Sequence, residues 1–317
     1  MKNAKRRKKM HHCLLTSSYC AGRTLAGSGG LNANIRMHVS WPSCISYTYK
    51  MKAQQNSFPD IRSLLQEQGY CVVPSVLSSH KATKYKRLLK ATCRRAGEDV
   101  AHSEQMWRLR TEGAVRAVFQ EVWGGEKDLI SSFEGVTWKQ RGGKGLELGY
   151  HVDQQLPPEE GKQCVQAIIA LTPSGEERGG TALLPRSHVE YASVLKRNSA
   201  PKRRGWQFFN VDDRDPVFKR CPPPVQPLLN AGDMLLWDSR LVHKVPSAKN
   251  ERKERVVAYV CMTPRKFASR SCIRRRRDAY MKQESSTHWP HIFVRRGKNE
   301  SLGNDAASHN EQRKDLI

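Results

Sequence analysis

No aspartate or glutamate occurs before Asp60, although ten lysines and arginines do. A segment so short of acids, with KRRKK at 5–9, scattered Ser and Gly and little hydrophobic periodicity, lacks what a packed core needs, so residues 1–55 read as a disordered or targeting extension. Its composition fits an organelle transit segment, while KRRKK alone fits a nuclear signal or a solvated charge run. No apolar stretch follows the basic cluster, which disfavours a secretory signal. No run approaches the roughly 18 apolar residues of a membrane span, so a transmembrane helix is excluded. The nine cysteines include no Cys-x-x-Cys pair, and an odd number in a chain of this length argues against a disulfide framework. The expected setting is reducing and intracellular: cytoplasm or an organelle, with the nucleus as the alternative.

What the chain does have is enough apolar sequence for one sizeable core: 38% of 317 residues are hydrophobic. Structure is expected from residue 56 to 293, followed by a disordered tail over 294–317. Asp60 followed by IRSLLQEQ and Gly69 reads as a short capped helix, and YCVVPSVL as a strand broken at Pro74. Ser78 or Ser79 caps a longer helix ending near Gly97. Helical spacing of Val115, Val118, Phe119 and Val122 predicts one helix over Met106–Trp123. From Leu129 strands dominate: LISSFEGVTW, LELGYHVD, CVQAIIALT and TALLPRS, with no long helix between them. That order favours an antiparallel sandwich or barrel flanked by helices over a doubly wound sheet. The segment 190–227, with KRRGWQFFN and CPPPVQP, reads as a lid-like insertion in which Trp206, Phe208 and Phe209 are candidates to line a pocket. Arg274 to Arg277 read as a solvated basic helix face.

The chemistry concentrates in two places. In Tyr150-His151-Val152-Asp153 the i, i+2 spacing of a strand turns an imidazole and a carboxylate to the same face. The stretch 228–264 opens with Gly232-Asp233, runs apolar to Trp237, reaches His243, turns through about ten polar residues and resumes at Arg255 in a second apolar run. Those two runs read as a pair of strands joined by a turn. His-x-Asp with a distant His is the composition of a 2-His-1-carboxylate metal site with open positions. An arginine soon after the second His suits the far carboxylate of a dicarboxylate such as 2-oxoglutarate. His188 is a lesser candidate, read first as a structural histidine.

The chain resembles the phytanoyl-CoA dioxygenase-like oxygenases in HVDQQ at 151–155, CVQAIIALTP at 164–173, GGTALLPRSH at 179–188, AGDMLLWDSRLVHKVP at 231–246 and RVVAYVCMTPR at 255–265. Weaker likenesses are MWRLRTEGAVRAVFQEVWGG at 106–125 and STHWPH at 286–291. It departs from them with Arg186 where a Gly is usual before Ser-His, and with Arg178 where an acid is common. The resemblance implies a double-stranded β-helix (jelly-roll, cupin-like) that uses Fe(II) and 2-oxoglutarate, with His151, Asp153 and His243 as iron ligands and Arg255 holding the co-substrate. It further implies dioxygen-dependent hydroxylation of a C–H bond in a small organic or acyl-type substrate, with release of succinate and CO2. Retention of Asp153 points away from a halogenase. Two alternatives remain open: an oxygenase acting on nucleic acid or protein, and a catalytically silent basic module that binds nucleic acid. The formal charge of +25 prompts both, but much of the basic excess lies toward the ends of the chain. Neither oligomeric state nor substrate identity can be read from the sequence.

Overall fold

The computed structural model describes residues 59–96, 100–143, 145–198, 208–295 and 315–317. The expected extension 1–55 and Trp206 lie outside these residues. The elements described below belong to one compact unit, Phe58–Ile317.

Asp60 opens α1 (Ile61–Glu67) by accepting the Ser63 amide, and the chain then enters β1 (Tyr70–Val73), which ends at Pro74. Helix α2 (Ser79–Ala96) follows, with the Ser78 hydroxyl accepting the Lys81 amide. The single helix expected over Met106–Trp123 is two, α3 (Glu104–Thr111) and α4 (Gly113–Val122). Glu112 between them leaves helical geometry at ψ 126°, and its carboxylate is drawn off to Lys81 and Tyr85. LISSFEGVTW likewise divides into β2 (Leu129–Ser131) and β3 (Val136–Lys139), which join different sheets. Then come β4 (Leu148–Val152), β5 (Val165–Ala170), β6 (Ala182–Leu183), α5 (Tyr191–Asn198), β7 (Phe209–Asn210), α6 (Val217–Arg220), β8 (Met234–Asp238), β9 (His243–Val245), β10 (Arg255–Tyr259), β11 (Met262–Pro264) and α7 (Arg270–Met281).

The sheets are antiparallel throughout: five strands in the order β1-β8-β5-β10-β3, four in the order β6-β9-β4-β7, and a small β11-β2 pair. Alternation along each strand sorts side chains into layers. Val165, Ala167 and Ile169 of β5, with Met234, Leu236, Val256 and Ala258, face outward against α1 to α4. Their neighbours Ile168, Ala170, Leu235, Trp237 and Val257 face inward and meet Leu183 of the smaller sheet and Leu241 just before β9. The smaller sheet's own outer face, through Val152, Leu184 and Val242, is covered by Tyr191 and Val194 of α5 and Val217 of α6. Two antiparallel sheets enclosing one interior, with helices outside, make the double-stranded β-helix expected from the sequence.

The expected pairing of the two runs in 228–264 is overturned. β8 pairs with β1 and β5, and β10 with β5 and β3, so β5 separates them. Between them the chain crosses into the other sheet as β9, which carries His243 opposite β4. A hairpin would have kept His243 and Arg255 in one sheet, whereas the crossing sets them on opposing walls.

Two features of the basic chain also differ from expectation. Arg276 is fully buried, not solvated: its guanidinium donates to the carbonyls of Ser131, Pro290, Leu316 and Ile317 at 2.6–3.0 Å. Of the tail expected to be disordered over 294–317, residues 296–314 lie outside the described residues, while Leu316 and Ile317 pack in the core and the Ser131 amide donates to the Leu316 carbonyl.

The Gly232-Asp233 pair has a backbone reason. Asp233 accepts the amides of Ser75 and Asn230, pinning the entry to β8 against the end of β1. Gly232 sits at φ +104, and a Cβ there would stand 2.1 Å from the Leu77 carbonyl oxygen. Gly232→Ala should cost about 2–5 kcal/mol through left-handed strain and overpacking. Urea unfolding checks it: a lower midpoint at unchanged slope is expected, and an unshifted midpoint would show that the turn has room.

Candidate metal centre

β4 and β9 are neighbours, and their register sets His151 directly across from His243. Asp153, two residues on, falls on the same inward side as His151. The three side chains bring one potential ligand atom each within 4.8 Å of one another, and all are buried. His243 Nε2 stands 3.1 Å from Asp153 Oδ2, and His151 Nε2 stands 3.8 Å from Oδ1.

The tautomers are fixed from behind. His151 Nδ1 lies 2.8 Å from the Gly149 carbonyl and His243 Nδ1 lies 2.9 Å from the Leu241 carbonyl, so each Nδ1–H donates to main chain. That leaves both Nε2 lone pairs directed at the space shared with Asp153, the arrangement of ligating imidazoles. Burial works against ionising Asp153, yet His243, His288 and His151 together hold its carboxyl below the usual carboxylate range. Burial pushes the His151 pKa down to about 4, helped by His243, so this imidazole stays neutral near pH 7. Burial acts on His243 the same way, but the Asp153 carboxylate outweighs it and raises His243. Two neutral-capable imidazoles and one carboxylate form a donor set that suits a divalent ion with open positions.

Sequence reading found these three residues and missed those that hold them. Gln166, on the inward face of β5, donates from Nε2 to Asp153 Oδ2. Its signal was the one polar residue in CVQAIIALT, a strand otherwise apolar up to Thr172. Gln154 ties the turns behind the site together. Its side chain donates to the Gly161 carbonyl and accepts the Ser239 hydroxyl, while its amide donates to the Ser239 carbonyl. Gln155 donates to the Phe208 carbonyl, and the Phe208 ring lies 5.4 Å from that of His151. Of the insertion's aromatics Phe208 is thus beside the centre, whereas Phe209 packs in the outer cluster. His288, within STHWPH, is buried and electrostatically coupled to Asp153 and His243. His188 lies elsewhere: its Nε2 donates to the Gln66 carbonyl. Arg186, in place of the usual glycine, adopts the left-handed φ of +66 that a glycine would take without strain.

Arg255 opens β10 and points inward with Val257 and Tyr259, at 4% exposure. Its Nε donates to the Ser174 hydroxyl at 3.0 Å, and burial lowers its pKa. Among the described residues no carboxylate pairs with it. Arg252, three residues earlier, is exposed in the turn.

Residues 125–255, which contain the three clustered side chains and end at Arg255, match the family model described as phytanoyl-CoA dioxygenase. Over this stretch, less than half of the chain, the sequence is similar to that family. The chain is 27% identical over 211 residues to Ava biosynthesis cluster protein O of Aspergillus versicolor, covering 62% of this chain and 66% of that relative, just under two thirds of its length. Among solved structures, the epimerase SnoN, in complex with Fe3+, alpha-ketoglutarate and nogalamycin RO, matches at a TM-score of 0.52 and 19% identity, over 65% of this chain and 82% of its own. The non-heme, alpha-ketoglutarate-dependent carbocyclase SnoK of nogalamycin biosynthesis matches at 0.50 and 22%, over 67% and 85%. These two likenesses are likenesses of fold.

Removing a hydrogen-bond partner of a ligating carboxylate characteristically weakens metal binding 10- to 100-fold. Gln166→Leu keeps the volume and deletes the donor, so anaerobic titration with Co(II) should show about that loss at unchanged melting temperature. Wild-type affinity in the variant would mean that Asp153 needs no such support.

Proposed function

We propose that the protein is an Fe(II)- and 2-oxoglutarate-dependent dioxygenase that hydroxylates a C–H bond of a small organic or acyl-type substrate. The observation that carries this reading is a buried arginine that has no carboxylate partner among the described residues, inside the same two-sheet interior as a His-Asp-His cluster. A guanidinium desolvated to this degree is costly unless an anion meets it, and its planar fork matches a carboxylate. His151, Asp153 and His243 would hold the iron, and Arg255, steadied by Ser174, would hold the far carboxylate of 2-oxoglutarate. When bound, iron and 2-oxoglutarate would supply dioxygen activation coupled to oxidative decarboxylation, one oxygen atom going to succinate and the other to the substrate.

The remaining steps belong to the chain. Gly149 and Leu241 orient the imidazoles through their carbonyls, Gln166 holds the free side of the carboxylate, and the apolar interior around Leu183, Leu235 and Val257 keeps bulk water from the reacting atoms. Phe208 brings the 190–227 segment against His151, which supports reading that segment as substrate-facing. An epimerase and a carbocyclase on a related fold support leaving substrate choice to such variable segments while the iron-binding residues stay fixed. The three-residue cluster and Arg255 together favour an enzyme over a silent binding module.

Two measurements test the proposal. Aerobic protein supplied with Fe(II), 2-oxoglutarate and a metabolite extract should form succinate and a product heavier by one oxygen; 2-oxoglutarate left unconsumed across extracts would oppose it. Truncating one partner of a desolvated charge pair costs on the order of 2–5 kcal/mol. Arg255→Ala should therefore raise the dissociation constant for 2-oxoglutarate roughly thirtyfold or more, with Arg255→Lys recovering part and Arg252→Ala near wild type. A crippled Arg252→Ala beside a normal Arg255→Ala would move the co-substrate site into the turn.

A further inference from the structure

Outside the two-sheet interior lies a half-open cavity of about 380 Å3, a size typical of small-ligand sites. Arg62, Leu65 and Gln66 of α1, Val122 of α4, Lys162, the His188-Val189 turn, Asp238 and Arg240 line it. Its charge is lopsided, with three cations to one carboxylate. That carboxylate is already taken, because Arg240 grips Asp238 bidentately at 2.9 and 2.8 Å. Among the described residues neither Lys162 nor Arg62 has an ion-pair partner. Lys162 is half-buried, its ammonium 5.2 Å from the centre of the Trp123 ring; burial disfavours its charge, Asp238 favours it, and Arg240 and Arg62 oppose it. Like charges gathered around one partly desolvated cleft destabilise the fold unless an anion enters.

We propose that this cleft is an anion site, distinct from the metal centre, that takes a phosphoryl group, either free phosphate or the phosphate end of a small metabolite. Lys162 and Arg62 supply charges that no ion pair holds among the described residues, and Arg240 the rim. The placement has a consequence for the chain. Lys162 stands on the loop that follows Asp153, and Arg240 on the turn that precedes His243, so an anion held by both braces the two segments that Gln154 already links.

Calorimetric titration of the full-length, metal-loaded protein with inorganic phosphate and, separately, with glucose 6-phosphate, both at matched ionic strength, tests the site. Saturable binding is expected, and the tighter of the two ligands identifies the source of the phosphoryl group. Each lost charge-assisted contact should weaken that binding about tenfold or more, in Lys162→Met and in Arg62→Gln, while Arg274→Gln on the exposed face of α7 leaves it unchanged. Arg62 is exposed, so its variant keeps the test alive if Lys162→Met fails to fold. Asp153→Ala should still bind phosphate, which separates this cleft from phosphate ligating the metal. Absence of saturable binding for both ligands, wild-type affinity in Lys162→Met and Arg62→Gln, or loss of binding in Asp153→Ala would overturn the proposal.

Discussion

A carboxylate buried at 6% exposure must be surrounded by groups that stabilise its charge, and much of the architecture can be understood as meeting that demand at Asp153. Two imidazoles face it, Gln166 donates to it from the opposite sheet, and the buried His288 approaches from the chain beyond α7. Each requires a different piece of the fold. His151 needs β4 in its inward phase, His243 needs the crossing from β8 into the smaller sheet, and Gln166 needs β5 at the centre of the larger one. The same two-sheet interior buries Arg255, so a cation and a ligand cluster share one enclosed space from opposing walls.

The cluster was legible in the sequence because strand alternation is rigid. His-x-Asp needs only a period of two to put both groups on one face, and the apolar run before His243 marks a strand that ends where the ligand begins. Arg255 was legible for the same reason, adjoining an apolar run that fixes its phase, whereas Arg252 sits among charges in a turn. The connection between these runs was not legible: a polar turn of ten residues serves equally for a hairpin and for a crossing between sheets, and only partner strands far away in sequence decide it. Arg276 escaped for a related reason. One arginine among four looks solvated until the carbonyls of Ser131, Pro290, Leu316 and Ile317 are known to converge on it. The break at Glu112 follows from long-range contacts with Lys81 and Tyr85 that no local periodicity contains.

Supporting residues divide into those that fix the cluster and those free to vary around it. The carbonyls of Gly149, in β4, and Leu241, in the turn before β9, are backbone groups that substitution cannot remove, so the imidazole orientation is a property of the fold. By contrast, Phe208 of the 190–227 segment reaches the centre, while Tyr191, Val194, Phe209 and Val217 of the same segment pack on the outer face of the smaller sheet. Changes there can reshape what approaches His151 while leaving the ligand geometry intact, which is how one scaffold supports different reactions.

His151, Asp153 and His243 are proposed to bind iron in a form that chelates a 2-oxoacid. Anaerobic protein mixed with Fe(II) and 2-oxoglutarate should develop the visible charge-transfer band of that chelate, and Asp153→Ala should abolish or severely weaken it, because the cluster contains no other anionic ligand. A band of undiminished intensity in Asp153→Ala would contradict the assignment.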